Sequence, residues 1–303
     1  MININTKIGL DGEYKIVVLR NDNVHYESDW FSNLILDNGL NYLGSDNNVV
    51  ATRYCRVGTG TTPVAPNQLN LVNQLANAEY STTDIINLGA AEDYASLLTY
   101  QYNFTQGSML TTITEAGVGW DSIGNTLFSR VLLPTPITLT SVDQLIMYYR
   151  VRIEPPITDV TGSLTIASTS YDFTSRVALV ENFGLSADCL TPLRFSRMVS
   201  VQSYDDSAAL GPITGNLTAS GGGDSASSYV YQTYITGSKT RTTTATFLPS
   251  VSNYTGGILG FRMAAETTGS GNLFNWQMLL DNPIPKTNMD LFTITFRFGW
   301  DRL

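Results

Sequence analysis

One histidine, His25, and two cysteines, Cys55 and Cys189, bound the nucleophilic chemistry open to this chain. A hydroxyl or thiol nucleophile needs a base beside it, and that base would have to be His25. His25 falls in a strand-like run, 24–30, and no G-x-S-x-G turn occurs. It reads as a partly buried strand histidine. One His and two scattered Cys do not make spaced zinc-ligand pairs. Gly58-Thr59-Gly60 lacks the four-residue gap and the Lys of a phosphate loop, so it reads as a tight turn. Paired carboxylates could work on a glycosidic bond, and the pairs present are Glu115 with Asp121, Glu92 with Asp93 and Asp205 with Asp206. Adjacent acids in polar loops form solvated faces, and Asp205-Asp206 lacks calcium-loop spacing. The residues therefore nominate no catalytic, cofactor-binding or metal-ligating group, and no cofactor.

The elements that would have to hold such groups are mostly strands. Runs 14–19 and 24–30 read as a hairpin around Asn21-Asp22-Asn23. Apolar spacing at Leu36, Leu40 and Leu43, stopped by Gly44, predicts a short helix over 36–43. A second short helix is expected over 67–78 from Leu71 and Leu75 one turn apart, with Leu69 nearby. Strands follow at 52–58, 97–105, 109–114, 126–133 and 144–153. In the last, Leu145, Met147, Tyr149, Val151 and Ile153 share one face, and Ile146, Tyr148, Arg150 and Arg152 the other. Pro155-Pro156 cannot continue a ladder and marks a boundary between domains 1–155 and 156–303. Eight more short strands run from 160 to 300, a rhythm of sandwiches and barrels.

Residues 127–153 overlie 273–300 with one gap. The pairs Leu127/Leu273, Phe128/Phe274, Pro136/Pro283, Thr140/Thr287, Asp143/Asp290 and Arg150/Arg297 are identical. The final strands keep the same alternation, which a one-residue slip would reverse. The fold class expected is all-β: two related β-sandwich-like domains, each closing with a hairpin of this kind, and one or two short helices in the first.

Charged residues are only 14% of the 303, hydrophobic ones 43%, and the net charge is −9. Ser, Thr, Asn and Gly fill the polar positions, which favours strands and turns over helices. An acidic surface repels phosphate, so nucleic acid is not an expected partner. No run approaches the length of a membrane span and no signal peptide is visible at the start, so no membrane insertion is expected. The cysteines read as free buried thiols. Within 203–228, Tyr204-Asp205-Asp206-Ser207 and the stretch 218–225 carry almost no apolar residues, and the segment reads as an exposed insertion reaching to 246. Its Tyr/Thr-rich second half suits contact with a neighbouring subunit. The candidate interaction surface is Tyr229, Tyr231, Tyr234, Lys239 and Arg241, with Asp205 and Asp206.

Phe31-Ser32-Asn33-Leu34-Ile35-Leu36-Asp37-Asn38-Gly39-Leu40 resembles the F-x-N-x-I-x-D-x-G-L opening of minor tail proteins of tailed bacteriophages. Arg56-Val57-Gly58-Thr59-Gly60 with Thr62-Pro63 is similar to the stretch that follows it there. Thr114-Glu115-Ala116-Gly117-Val118 and then Leu127-Phe128-Ser129-Arg130 have counterparts in the same order. The match spans residues 31–153, about half the chain. The resemblance implies a virion structural protein of the tail, neck, collar or fibre attachment, assembled in the bacterial cytoplasm. It implies homo-oligomers, docking onto other tail or neck proteins, and no catalysis. A host-receptor or glycan-binding tail module is the alternative. A glycan-cleaving tail enzyme, resting on a carboxylate such as Glu115, is the third.

Overall fold

The computed structural model describes residues 2–45, 49–90, 93–178, 195, 197–266 and 273–303. Cys189 and Glu92 lie outside them. The protein is all-β, with one helix among the described residues. The chain divides into two compact units. One holds Gly9–Glu154 and takes in Asp301–Leu303; the other is built from residues between Pro155 and Trp300, both included, and takes in the start of the chain to Ile8.

The first unit contains β1 (Ile2–Arg20), which begins in the other unit, then β2 (Asn23–Glu27), β3 (Phe31–Ser32), β4 (Leu34–Ile35) and α1 (Asp37–Gly44). After these come β5 (Tyr54–Gly58), β6 (Gln74–Ala90), β7 (Asp93–Asn103), β8 (Thr112–Gly119), β9 (Leu127–Thr138) and β10 (Asp143–Glu154). Asn21 and Asp22, both at positive φ, make the two-residue turn between β1 and β2. One layer runs β1-β10-β7-β6 and the other β5-β8-β9-β4. β6 joins them: its first residues pair with β5 and the rest with β7. The layers face each other. Phe128 of β9 meets Tyr149 of β10 edge-on, with centroids 6.4 Å apart, and the Tyr14 hydroxyl lies 3.0 Å from that of Ser129. β10 alternates buried and half-buried side chains along its whole length, as its sequence pattern predicts.

The second unit contains β11 (Val160–Ile166), β12 (Thr169–Ala178), β13 (Arg197–Tyr204), β14 (Asp224–Ser225), β15 (Ser228–Tyr231), β16 (Thr240–Phe247), β17 (Ile258–Glu266), β18 (Leu273–Ile284) and β19 (Phe292–Arg302). One layer runs β11-β12-β18-β17-β13-β14; the other has β16 between β15 and β19. Phe261 of β17 packs on Phe247 and Phe296, and Trp276 of β18 on Phe298.

The units share one connection order. β5 pairs with β6 and β8 as β13 pairs with β14 and β17. β9 pairs with β8 as β18 pairs with β17. β10 pairs with β7 as β19 pairs with β16. The long β6 has its counterpart in the split pair β14 and β15.

Four expectations are corrected. Residues 67–73 form turns, and β6 begins at Gln74, so no helix spans 67–78. The repeated segments are not hairpins. β9 pairs with β8 and β4, β10 with β1 and β7, and the two lie in opposite layers; β18 and β19 are also not paired with each other. The 203–246 segment is not simply exposed. Ala208 and Leu217 are buried with Tyr204 in a small core of their own, and Gln277 binds both the N–H and the C=O of Gly211 at 2.7 and 3.1 Å. His25 is exposed on β2 rather than partly buried.

Candidate functional site

The motif segments 31–40, 56–63, 114–118 and 127–130 converge on one buried node. Glu115 and Arg130 are both fully buried, and Arg130 donates from Nε and Nη2 to Glu115 Oε2 at 2.9 and 2.8 Å. The carboxylate also accepts three backbone N–H groups, from Gly60 and Asn73 at 2.9 Å and from Val72 at 3.1 Å. Arg130 further reaches Thr62 O and Gln68 Oε1. Burial works to raise the Glu115 pKa. The Asn73 and Val72 N–H groups and Arg130 outweigh it and hold the carboxyl below its ordinary value. Gly60 must be glycine, because a Cβ there would lie 2.4 Å from Glu115 Oε1. On the other flank, Leu34 and Ile35 pair with Arg130 and Ser129, and the Leu36 N–H binds Phe128 O at 2.8 Å. A Cβ on Gly39 of α1 would sit 2.3 Å from that same carbonyl oxygen. The motif residues are thus chosen for one another. Glu115, sealed and with both oxygens engaged, fastens the 59–73 loop and has no route to a substrate.

Arg56 does similar work next door. Its guanidinium donates to the carbonyls of Asp121 and Gly124 and to the Thr126 hydroxyl, gathering the 121–126 loop around one cation. Burial lowers its pKa to about 10. Cys55 beside it is a buried free thiol, and burial pushes that thiol well up, so it is inert.

The seven candidate interaction residues fall into three groups. Tyr229 and Tyr231 stack at 6.2 Å on β15, and the Tyr229 hydroxyl accepts the Val201 N–H at 3.0 Å. Tyr234 stacks on Trp300 at 5.8 Å, and the Arg241 guanidinium lies 5.5 Å above its ring. Arg241 is only 3% exposed, so it braces the 232–241 turn and is not a surface group. Lys239, at positive φ, accepts the Trp300 N–H on its carbonyl. Asp205 caps its own turn by accepting the Ser207 N–H, and Asp206 borders a shallow depression with Asn253 and Gly256.

A feature that the sequence reading passed over is a groove of about 440 Å³ on the outward face of the β1-β10-β7-β6 layer. Trp30 stands at its edge. The Arg150 guanidinium lies 4.2 Å from the Trp30 centroid, and Glu13 holds Arg150 at 2.5 Å. Lys15 pairs with Glu27 at 2.6 Å. Tyr148, Leu97 and Ile86 add apolar surface; Thr82, Thr99, Gln101 and Asp84 add polar groups. Trp30 also borders a second depression of about 320 Å³ shared with Tyr26 and Phe31.

Family models, curated proteins and solved structures all fail to match the chain.

Among the described residues no cluster of His, Cys, Asp and Glu could hold a metal ion. Among the described residues no helix is long and apolar enough to cross a membrane. The groove had one sequence signal. Ile146, Tyr148, Arg150 and Arg152 alternate on the non-core face of β10, which is richer in ring and charge than an idle surface needs.

Proposed function

We propose that the protein is a structural component of a tailed-phage virion, in the tail, the neck or collar, or a fibre attachment, acting by subunit–subunit binding. One observation carries the reading. The four segments that resemble minor tail proteins meet in a single node, with Glu115 locked to Arg130 and Gly39 seated against Phe128. Their packing against one another supports reading the four motifs as one unit. The net charge of −9 supports protein partners over nucleic acid. Among the described strands β15 ends its sheet, with Val230 62% exposed, and an edge strand is a ready template for a neighbouring chain. A stable interface buries about 1,200 Å² or more, so a neighbour must cover more than this strand.

The test is the solution mass of the purified chain by light scattering, alone and with isolated tail particles. A discrete oligomer, or recruitment onto tails, is the expected result. A monomer that ignores tails would remove the mechanism.

A further inference from the structure

We propose that the Trp30 groove is a binding site for a neutral oligosaccharide, whether or not the chain is part of a virion. The volume, about 440 Å³ with a further 320 Å³ across Trp30, falls within the roughly 300–1,000 Å³ of small-ligand sites. The position of Trp30 between two depressions suits a chain of rings better than a single compact molecule.

The charges decide the ligand class. Both cations at the groove are already matched, Arg150 by Glu13 and Lys15 by Glu27. Asp84 adds a further carboxylate to the lining. A phosphate, sulfate or uronate would therefore meet no uncommitted positive field and a nearby negative one. That disfavours anionic ligands, including nucleic acid and acidic glycans. A purely apolar ligand is disfavoured as well, because Thr82, Thr99 and Gln101 interrupt the apolar surface; Thr82 donates to Gln101 Oε1 at 3.4 Å and Gln101 Nε2 to Asn103 Oδ1 at 2.9 Å, and the hydrogen-bonding capacity left over would lose its hydration under an apolar ligand.

A neutral sugar satisfies both demands. Its ring carries C–H faces that lie against an aromatic plane, and hydroxyls that both donate and accept. Hydroxyl and amide side chains are the matching inventory. The Trp30 ring is pre-positioned by the Arg150–Glu13 pair, which lowers the ordering cost of binding.

The experiment uses the full chain on a printed array of neutral hexose and N-acetylhexosamine oligosaccharides, with sialylated and uronate glycans beside them. The best neutral hit is then titrated in solution by calorimetry. Binding is expected among the neutral probes, with affinity reduced at least tenfold in Trp30→Ala and partly restored in Trp30→Phe. Thr82→Ala, at an exposed position, should weaken binding without changing the melting temperature. Binding confined to acidic glycans, no binding to any glycan, or neutral binding indifferent to both Trp30→Ala and Thr82→Ala would each overturn the proposal.

Discussion

Replacing Glu115 and Arg130 by leucine, singly and together, separates a structural fastener from an ordinary buried ion pair. An ordinary pair can often be exchanged for apolar residues of similar volume at little cost, because both desolvated charges disappear together. Here Glu115 also accepts the N–H groups of Gly60, Val72 and Asn73. Arg130→Leu leaves a buried carboxylate without its cation, at about 3–5 kcal/mol. Glu115→Leu leaves an unpaired guanidinium and three orphaned backbone donors, each worth about 1–3 kcal/mol. The double variant removes the charge penalty and keeps the orphaned donors, so it should remain about 3 kcal/mol or more below wild type. At about 2–4 °C per kcal/mol in a domain of this size, that is a fall of roughly 6–12 °C in Tm. The assay is thermal and urea unfolding of all four proteins, closed as a double-mutant cycle. The acid limb adds a check. The folded-state pKa of Glu115 is lowered, so its stabilisation is present above the ordinary 4.5 and is lost as pH falls through the folded value. A double-leucine protein as stable as wild type at pH 7 would refute the claim that the carboxylate holds the loop.

Gly39→Ala should destabilise by about 1–3 kcal/mol on urea unfolding, although alanine favours helices, because its Cβ would press 2.3 Å from Phe128 O; a stabilised variant would refute the contact. Val230→Asp, at a 62% exposed position, should change stability by no more than about 0.5 kcal/mol yet lower the oligomer mass in light scattering if β15 is an interface; an unchanged mass would place the contact elsewhere.

Strands whose two faces meet different surroundings were legible from residue order alone. β10 is the clearest, because one face meets the opposite layer and the other meets solvent. The stretch 67–78 misled for a specific reason. Leu71 has helical spacing to Leu75, but Leu71 plugs a small core with Leu36 and Leu127. The N–H groups of Val72 and Asn73, which a helix would pair with carbonyls four residues back, are claimed by Glu115. A carboxylate more than forty residues away thus decides the local structure, and no window of sequence contains it. The groove was hidden because residues 79–96 carried no strand assignment. Thr82, Asp84 and Ile86 reach it only because β6 is a strand that crosses between layers. The Tyr/Thr run at 229–246 was legible as strand but not as surface. Alternation says that one face is inward without saying that Arg241 is on it.

The repeated Thr-x-x-Asp was visible in the sequence, and its role depends on the strands not being a hairpin. Each corner carries the chain from one layer of its unit to the other, so no ladder hydrogen bonds hold its two strands together. A backbone turn bond at 3.1 Å, from the Asp143 N–H to Thr140 O and from the Asp290 N–H to Thr287 O, closes each corner, and the side chains reinforce it. Thr140 donates from its N–H and hydroxyl to Asp143 at 2.8 and 2.7 Å, and Thr287 does the same to Asp290 at the same distances. The corners differ in one partner. Arg20 forks onto both oxygens of Asp143 at 2.8 and 3.0 Å. With Thr140, it holds that carboxyl far below the ordinary 3.8; Asp290 is lowered mainly by the Thr287 hydrogen bonds. Both folded-state values are depressed, so both corners stabilise above pH 3.8 and lose that contribution as pH falls through their folded values. The corner without the arginine should open first. Amide chemical shifts of Thr140 and Thr287, followed from pH 5 downward, should show Thr287 titrating at the higher pH. Arg20→Gln should move the Thr140 titration up toward it. If Thr140 titrated first in the wild type, the arginine would not be what sets the two corners apart.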